Sequence, residues 1–299
     1  MKKILSVSLG SSQRNHTVTT TFCGQDFHIE RMGTDGDKRK AIDLISHWDG
    51  KVDAFGLGGT DLYIYAGGKR YTFRESKKIA AAAKQTPLVD GSGLKNTLER
   101  WMVKGLTSSQ DFSFCDKHIL VMCAVDRFGL AEALVEAGGK VIFGDLLFAM
   151  GLNIPIRTLK GLSRLAQMAA PVITQLPIHW LYPVGASQLA NIPRFSSYFD
   201  QADVIAGDFH FIRRYMPPSL PGKTVITNTV TTDDAVMLKS RGVTTLVTTT
   251  PALDGRAFGT NVVEAIIVAY AEKDPKSLSP GDYEDIIREI GLAPQVSRW

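Results

Sequence analysis

The sequence predicts an α/β protein, with an N-terminal α/β domain followed by a Rossmann-like, mostly parallel, doubly wound sheet. Short apolar segments alternate with helical segments after residue 118, which is typical of parallel strands covered by helices on both faces. The first hundred residues also mix strand and helix patterns, but less regularly. A polar stretch without periodicity, at residues 107–118, separates the two patterns. We therefore predict a substrate-side domain at residues 1–107 and a nucleotide-binding domain, with a C-terminal helix, at residues 108–299.

Individual segments support this assignment in chain order. Residues 2–10 predict a first strand, and the Thr-, Phe- and Ile-rich residues 16–33, divided by Gly24, predict a hairpin. Residues 37–50 carry apolar side chains at helical spacing and end at a glycine, which predicts a helix. Residues 153–197 contain several prolines and aromatic residues, and they predict a long excursion with a helix inside it.

Composition excludes several classes of protein. The chain has 299 residues, 44% hydrophobic and 21% charged, and a net charge of +4, with no run of five or six basic residues that would indicate a nucleic-acid partner. No window of about 18 apolar residues predicts a membrane span. The three cysteines lack CxxC spacing and the histidines lack HxH or HxxxH pairs, so we expect neither disulfides nor a protein metal site. We expect a cytoplasmic protein with a small-molecule substrate, and homo-oligomerisation stays open.

Residues 118–145, "HILVMCAVDRFGLAEALVEAGGKVIFGD", have the pattern of a dinucleotide-binding βαβ unit. The three glycine positions of the usual fingerprint fall on Ala124, Asp126 and Gly129, and Asp145 stands where an acid binds the adenosine ribose. The carboxylate of Asp126 would repel a pyrophosphate, and Arg127 could offset that charge or contact a phosphate. Alternatively, Asp126 caps the helix and no ligand is needed.

A second candidate site is the segment "VDGSGLK", in which Asp90 follows a strand and precedes two glycines. Its carboxylate would lie at a strand's carboxyl end, where open α/β sheets place ligand-binding groups. Lys95 follows in the first turn of the next helix. An Asp and a Lys close together perturb each other's pKa and can serve as a proton-transfer pair; a turn Asp with a solvated Lys is the alternative.

The stretch "VDGSGLKNTL" followed by the βαβ unit resembles the middle of the shikimate/quinate dehydrogenase family. The resemblance covers about a fifth of the chain, and it implies that Asp90 is the catalytic aspartate and that NAD or NADP is the cofactor. The family's lysine motif, upstream of the aspartate, has no counterpart here. Lys69 and Lys77 are the nearest upstream lysines, and Lys95 lies on the other side of Asp90.

Further candidates follow later strands. Asp208, His210 and Arg213 come directly after the segment "ADVIAG"; we expect His210 to act as a general acid or base and Asp208 and Arg213 to contact a substrate or anion. Thr227 and Asn228 end the next strand and could face a nicotinamide or substrate. Arg256 and Asn261 lie near a helix start that suits an anion. In each case, ordinary capping is the alternative.

The sequence therefore predicts an NAD(P)-dependent oxidoreductase acting on a small hydroxylated or anionic substrate, with Asp90, Lys95 and His210 as catalytic candidates. NAD is preferred because a carboxylate at Asp145 opposes a 2′-phosphate. Two alternatives stay open. One is a ligand-binding or regulatory protein that kept the fold without hydride chemistry. The other is a transferase using another nucleotide-like cofactor such as S-adenosylmethionine.

Overall fold

The structure is a computed structural model of the chain. It describes residues 1–66, 68–109, 112–181, 190–250, 252–253, 256–257 and 259–299, and of residues 96, 252, 253, 256 and 257 only the backbone. The chain forms two compact units, each assembled from separate segments. The first comprises residues 1–95, 168–188 and 259–292, and the second comprises residues 96–167, 189–258 and 293–299.

The strands follow one another along the chain as β1 (Lys2–Ser8), β2 (His16–Phe22), β3 (Gln25–Gly33), β4 (Ala54–Gly58), β5 (Tyr63–Ala66), β6 (Lys69–Thr72), β7 (Leu88–Val89), β8 (His118–Val121), β9 (Lys140–Phe143), β10 (Val204–Ala206), β11 (Thr224–Thr227), β12 (Thr245–Thr248), β13 (Ala252–Leu253), β14 (Arg256–Ala257) and β15 (Gln295–Arg298).

The helices are α1 (Lys38–Trp48), α2 (Arg74–Ala80), α3 (Ser92–Ser108), α4 (Phe128–Glu136), α5 (Leu159–Ile173), α6 (Ile178–Leu181), α7 (Ser196–Gln201), α8 (Phe209–Tyr215), α9 (Thr232–Ser240), α10 (Thr260–Ala271) and α11 (Pro280–Glu289). A π-helical turn, Asp145–Ala149, follows β9. No helix in the described part of the chain is long and apolar enough to cross a bilayer.

The first unit is built on a five-stranded sheet with the order β2-β3-β1-β4-β7. β2 and β3 form the predicted antiparallel hairpin, whereas β3, β1, β4 and β7 run parallel. Helix α10 packs on β1 and β4. Gly56 in β4 allows this close approach, because a Cβ there would lie 2.8 Å from the carbonyl oxygen of Asn261. The C-terminal helices thus complete the core of the first unit.

The second unit is built on a six-stranded sheet with the order β15-β12-β11-β10-β8-β9. All its strands are parallel except β15, which is antiparallel to β12. β9 lies beside β8 on one side within the sheet, and β10, the next strand along the chain, lies beside β8 on the other side. This reversal is the topological switch point at which open α/β sheets bind ligands, beyond the carboxyl ends of the strands. The sheets confirm the α/β, mostly parallel fold that the sequence predicts.

The compact units divide the chain differently from the continuous ranges 1–107 and 108–299. The chain passes between the units inside α3, at residues 95 and 96, and not in the polar stretch that follows α3. The physical reason is that a helix can contribute its two ends to two different cores. The predicted excursion at residues 153–197 contains α5, and its described residues 168–181 belong to the first unit.

Candidate functional site

The turn after β8 uses Asp145 as an internal hydrogen-bond acceptor. The buried carboxylate of Asp145 accepts the backbone N–H of Ala124 at 3.0 and 3.1 Å and that of Val125 at 2.9 Å. Burial raises the pKa of Asp145 to about 6, against the effect of these N–H bonds. The acid predicted to bind a ribose therefore lies directly on the turn predicted to bind a pyrophosphate.

Arg127, predicted to contact a phosphate, lies in a buried ionic network. Its guanidinium donates to the carboxylate of Glu99, which is fully buried, and lies 3.4 Å from that of Asp208. Helix α4 has its N-cap at Arg127 and no capping bond from a side chain. Asp126 lies one residue before this N-cap, and its capping role stays a prediction. Gly129 is buried in the first turn of α4, where the third glycine of the fingerprint permits close packing.

The cluster after β10 is organised by capping and ion pairs. Asp208 caps α8 by accepting the N–H of His210 at 2.8 Å, and the same residue pairs with Arg127. Arg213 pairs with Asp234 at 2.8 Å, and Asp234 also completes the capping box of α9. The structure thus brings Asp208 and Arg127 together and gives Arg213 a partner on the neighbouring helix. The predicted roles of these residues toward a ligand stay predictions.

The ends of β11 and β12 carry polar side chains that sequence reasoning covered only in part. The Thr227 hydroxyl donates to the Gly207 carbonyl at 2.8 Å. Asn228 Oδ1 is buried without a hydrogen-bond partner among the described residues, and the same holds for the hydroxyl oxygens of Thr248 and Thr249. Sequence reasoning missed both threonines; the threonine-rich end of a buried strand, "TLVTTT", was the available signal.

In the first unit, Lys95 and Asp61 form a buried ion pair close to Asp90. Lys95 Nζ lies 2.5 Å from Asp61 Oδ1, and both residues are at least nine-tenths buried. Lys69 and Lys77 are exposed. Lys95, on the carboxyl side of Asp90, is therefore the lysine that the fold brings to this cluster.

Asp90 is held by hydrogen bonds at the carboxyl end of β7. Its Oδ2 accepts the N–H of Leu62 and the hydroxyl of Ser92, both at 2.5 Å, and its Oδ1 accepts the Ser92 N–H at 3.3 Å. Burial and the nearby charge of Asp61 raise the pKa of Asp90 to about 6, although Lys95 opposes the rise. Asp90 can therefore exchange a proton near neutral pH.

Two residues of this cluster, Glu264 and Tyr283, were missed from the sequence. Glu264 in α10 accepts the N–H of Gly91 at 2.6 Å and the hydroxyl of Tyr283 at 2.8 Å. Burial and the charge of Asp90 raise the pKa of Glu264 to about 8. An acid inside the apolar run "VVEAII" was the signal, because a buried carboxylate requires partners.

The approach of Glu264 depends on Gly93, where a Cβ would lie 2.3 Å from Glu264 Oε1. Three carboxyl groups and one ammonium group therefore lie together in a buried cluster, which we call the acid cluster: Asp61, Asp90, Lys95 and Glu264. Since two of its acids have raised pKa values, the acid cluster can store and transfer protons at neutral pH.

Two further predictions concern residues at and just before the start of α10. The Asn261 side-chain amide donates to Ser6 Oγ at 2.9 Å, which places Asn261 in the first unit beside the end of β1. The side chain of Arg256 lies outside the described part of the chain. No group of three metal-ligating side chains that could hold an ion occurs within the described residues.

Comparisons with known proteins give a family. Residues 93–299 match the family described as "Domain of unknown function (DUF8754)", and residues 3–90 match "Domain of unknown function (DUF8753)". No curated protein sequence matches the chain.

Several solved structures are similar at low identity. A dipicolinate synthase chain from Bacillus halodurans is 14% identical, with a TM-score of 0.29, over 97% of this chain and 96% of that chain. Shikimate dehydrogenase from Aquifex aeolicus is 12% identical, with a TM-score of 0.34, over 96% and 98%. NAD-dependent malic enzyme from Thermotoga maritima is 11% identical, with a TM-score of 0.34, over 98% and 85%. Similarities of this size say nothing about the activity of this chain.

Because the first of the two family models covers more than half of its residues, the chain belongs to the family described as "Domain of unknown function (DUF8754)".

Proposed function

We propose that the protein is an NAD-dependent oxidoreductase that acts on a small hydroxylated or anionic substrate, in the manner of the shikimate/quinate dehydrogenases it resembles. One observation carries the proposal: the buried Asp61–Lys95 pair beside Asp90. Lys95 and Asp90, whose pKa is raised, lie together at the end of a parallel strand. A lysine and an aspartate in this arrangement form the pair that the oxidation of a hydroxyl group requires.

Oxidation of a C–OH group to C=O removes a hydride and a proton. A bound nicotinamide would supply the acceptor for the hydride. Asp90 takes the hydroxyl proton, since a pKa of about 6 leaves it mostly ionised at neutral pH. Lys95, kept charged by Asp61, donates a hydrogen bond to the substrate oxygen as negative charge develops there.

In the second unit, the proposed cofactor position is the switch point between β8 and β10. Asp145 follows β9 and would hold the adenosine ribose, which favours NAD over NADP because its carboxylate opposes a 2′-phosphate. A bound ribose would then share Asp145 with the N–H groups of Ala124 and Val125. We further propose that Arg127, which pairs with Glu99 and Asp208, keeps the charge of these two acids balanced beside the bound cofactor.

Thermal unfolding with added ligand tests the proposal. Ligands that bind the native state raise the melting temperature, so millimolar NAD should shift it, with NADP and S-adenosylmethionine as comparisons. No shift with either nicotinamide nucleotide would overturn the proposal.

The variant Asp145→Asn should lower the ratio of the affinity for NAD to the affinity for NADP. A general destabilisation of the fold would weaken both affinities and leave this ratio unchanged. Asp116→Asn is the matched control, because Asp116 is exposed and follows no strand of the parallel sheet.

A second candidate is a ligand-binding or regulatory protein without hydride chemistry. The network around Arg127 favours it, because the cation of the turn is bound to Glu99 and Asp208 and the turn N–H groups are bound to Asp145. Binding of NAD without reduction of NAD by any hydroxylated substrate in a panel would favour this candidate. A shift with S-adenosylmethionine alone would instead favour a transferase.

A further inference from the structure

The carboxyl edge of β11 and β12 carries three buried polar side chains with unmet hydrogen-bonding capacity. Asn228, Thr248 and Thr249 are 3%, 7% and 2% exposed. Within the described residues, Asn228 Oδ1 and the two threonine hydroxyls have no hydrogen-bond partner. Native proteins satisfy nearly all such groups, so three at one edge indicate a position that binds a ligand.

These three residues lie at the ends of two adjacent parallel strands, where Thr227 pairs with Thr248 and the next residues along each strand are Asn228 and Thr249. The Thr249 N–H donates to the Thr227 carbonyl at 2.8 Å, and the Thr227 hydroxyl donates to the Gly207 carbonyl at 2.8 Å. The ends of β10, β11 and β12 therefore lie side by side. Thr227 also provides a contrast, because its hydroxyl is satisfied inside the protein while those of Thr248 and Thr249 have no partner in the described part of the chain.

The chemistry of the three atoms restricts the ligand. An amide oxygen such as Asn228 Oδ1 accepts hydrogen bonds only, whereas threonine hydroxyls donate and accept. All three groups are uncharged. A carboxylate would bring no donor to Asn228 Oδ1 and would find no cation in this set. A carboxamide presents N–H donors and a carbonyl acceptor within one small planar group, which matches the set.

The position along the sheet selects one end of a dinucleotide. A dinucleotide lies across the switch point with one mononucleotide on each side. Asp145, after β9, marks the side proposed for the adenosine half. β11 and β12 lie on the opposite side of β8, with β12 about 10 Å beyond β10, given the spacing of neighbouring strands.

We propose that Asn228 and Thr249, at the same position along the two parallel strands, bind the carboxamide of the nicotinamide ring. This inference rests on the proposed function and adds to it the side chains that recognise the reactive end of the cofactor. Asn228 accepts the carboxamide N–H, and the Thr249 hydroxyl donates to its carbonyl oxygen.

Calorimetric titration of the full chain with NAD and with ADP-ribose tests the inference, because ADP-ribose lacks the nicotinamide ring. Thr249→Val and Asn228→Leu preserve side-chain shape and remove the polar atom. Each variant should bind NAD about tenfold more weakly and ADP-ribose unchanged, as expected for one hydrogen bond. Thr245→Val, at the other end of β12, is the matched control and should change neither affinity.

Melting temperature provides an independent readout. Replacing an unsatisfied buried hydroxyl with a methyl group of the same shape is neutral or stabilising, so Thr249→Val should melt no lower than the parent protein without ligand. A lower melting temperature with unchanged NAD affinity would assign these atoms to a buried water and overturn the inference.

Equal weakening of NAD and ADP-ribose would also overturn it, as would unchanged affinity for both. If the parent protein binds neither nucleotide, the proposed function fails and the inference fails with it. If ADP-ribose binds and the variants do not discriminate, the inference fails alone.

Discussion

The carboxyl edges of the two sheets differ in how they arrange buried charge. In the first unit, the acid cluster places three carboxyl groups around one lysine, and two of the acids keep raised pKa values. In the second unit, Arg127 pairs with two acids and backbone N–H groups take the carboxylate of Asp145. The first edge thus gathers several acids around one lysine, whereas the second keeps its cation, Arg127, in pairs with other acids and holds one acid of raised pKa, Asp145, on backbone N–H groups.

The largest expected effect is on catalysis at the first edge. Asp90→Asn keeps the shape of the side chain and removes the proton acceptor, so we expect turnover to fall about 10²–10⁴-fold. The measurement is NAD reduction with the best hydroxylated substrate from a panel, beside calorimetric NAD affinity, which should not change. Asp43→Asn, an exposed substitution in α1, is the control. Full turnover in Asp90→Asn would show that Asp90 does not take the substrate proton, and proton transfer would no longer distinguish the first edge from the second.

Stability should reveal the fixed pairing at the second edge. Glu99→Gln removes the charge of the closer of the two carboxylates that pair with the buried guanidinium of Arg127, and breaking a buried pair costs about 3–5 kcal/mol of unfolding free energy. Glu132→Gln removes the partner of Arg100 in a half-exposed pair and should cost at most about 1 kcal/mol. Urea denaturation measures both. Equal losses of unfolding free energy would show that the buried pair of Arg127 and Glu99 stabilises the fold no more than a partly exposed pair does.

The acids of the first edge should make the unfolding free energy depend on pH. The folded-state pKa of Glu264, about 8, lies above the ordinary value near 4.5, and that of Asp90, about 6, lies above 3.8. The folded state therefore holds more protons between these limits, so unfolding free energy is highest below pH 4 and falls as pH rises to 8. Because the shifts of both acids contribute, the loss should amount to several kcal/mol.

Urea denaturation across this pH range checks the titration. Glu264→Gln, which mimics the protonated acid, should flatten the profile between pH 6 and 8. Glu284→Gln, on the surface of α11, should leave the slope unchanged. If the unfolding free energy of the parent protein rose with pH over this range, the raised pKa values of Glu264 and Asp90 would be contradicted.

The smallest expected effect comes from two glycines of the same helix. Gly93→Ala places a methyl group against Glu264, so we expect a loss of about 1–3 kcal/mol of unfolding free energy from overpacking. Gly105→Ala meets no atom within 4 Å, and it should stabilise α3 by about 0.5–1 kcal/mol. Thermal unfolding of the two variants gives the comparison. Stabilisation by both would show that Glu264 can leave the acid cluster at little cost.

Local patterns in the sequence were sufficient to predict the helices and strands and some of the polar residues at the carboxyl edge of each sheet. The βαβ unit, the hairpin of β2 and β3 and the position of Asp90 at a strand end follow from periodicity and turn residues that are close in sequence. The internal role of Arg127 does not follow, because its partners Glu99 and Asp208 lie 28 and 81 residues away. The sequence also left the lysine open between Lys69, Lys77 and Lys95.

By itself, then, the sequence determined the α/β class, the mostly parallel second sheet and a proton-transfer candidate at Asp90. Only the tertiary structure decided that Lys95 pairs with Asp61, that Glu264 reaches Gly91 across 173 residues, and that Asp145 accepts the N–H groups of the turn after β8. The physical reason is that periodicity reports which face of an element is buried, whereas the pairing of buried charges depends on which elements become neighbours. A pKa, and with it a chemical role, is set by those neighbours and not by residue type.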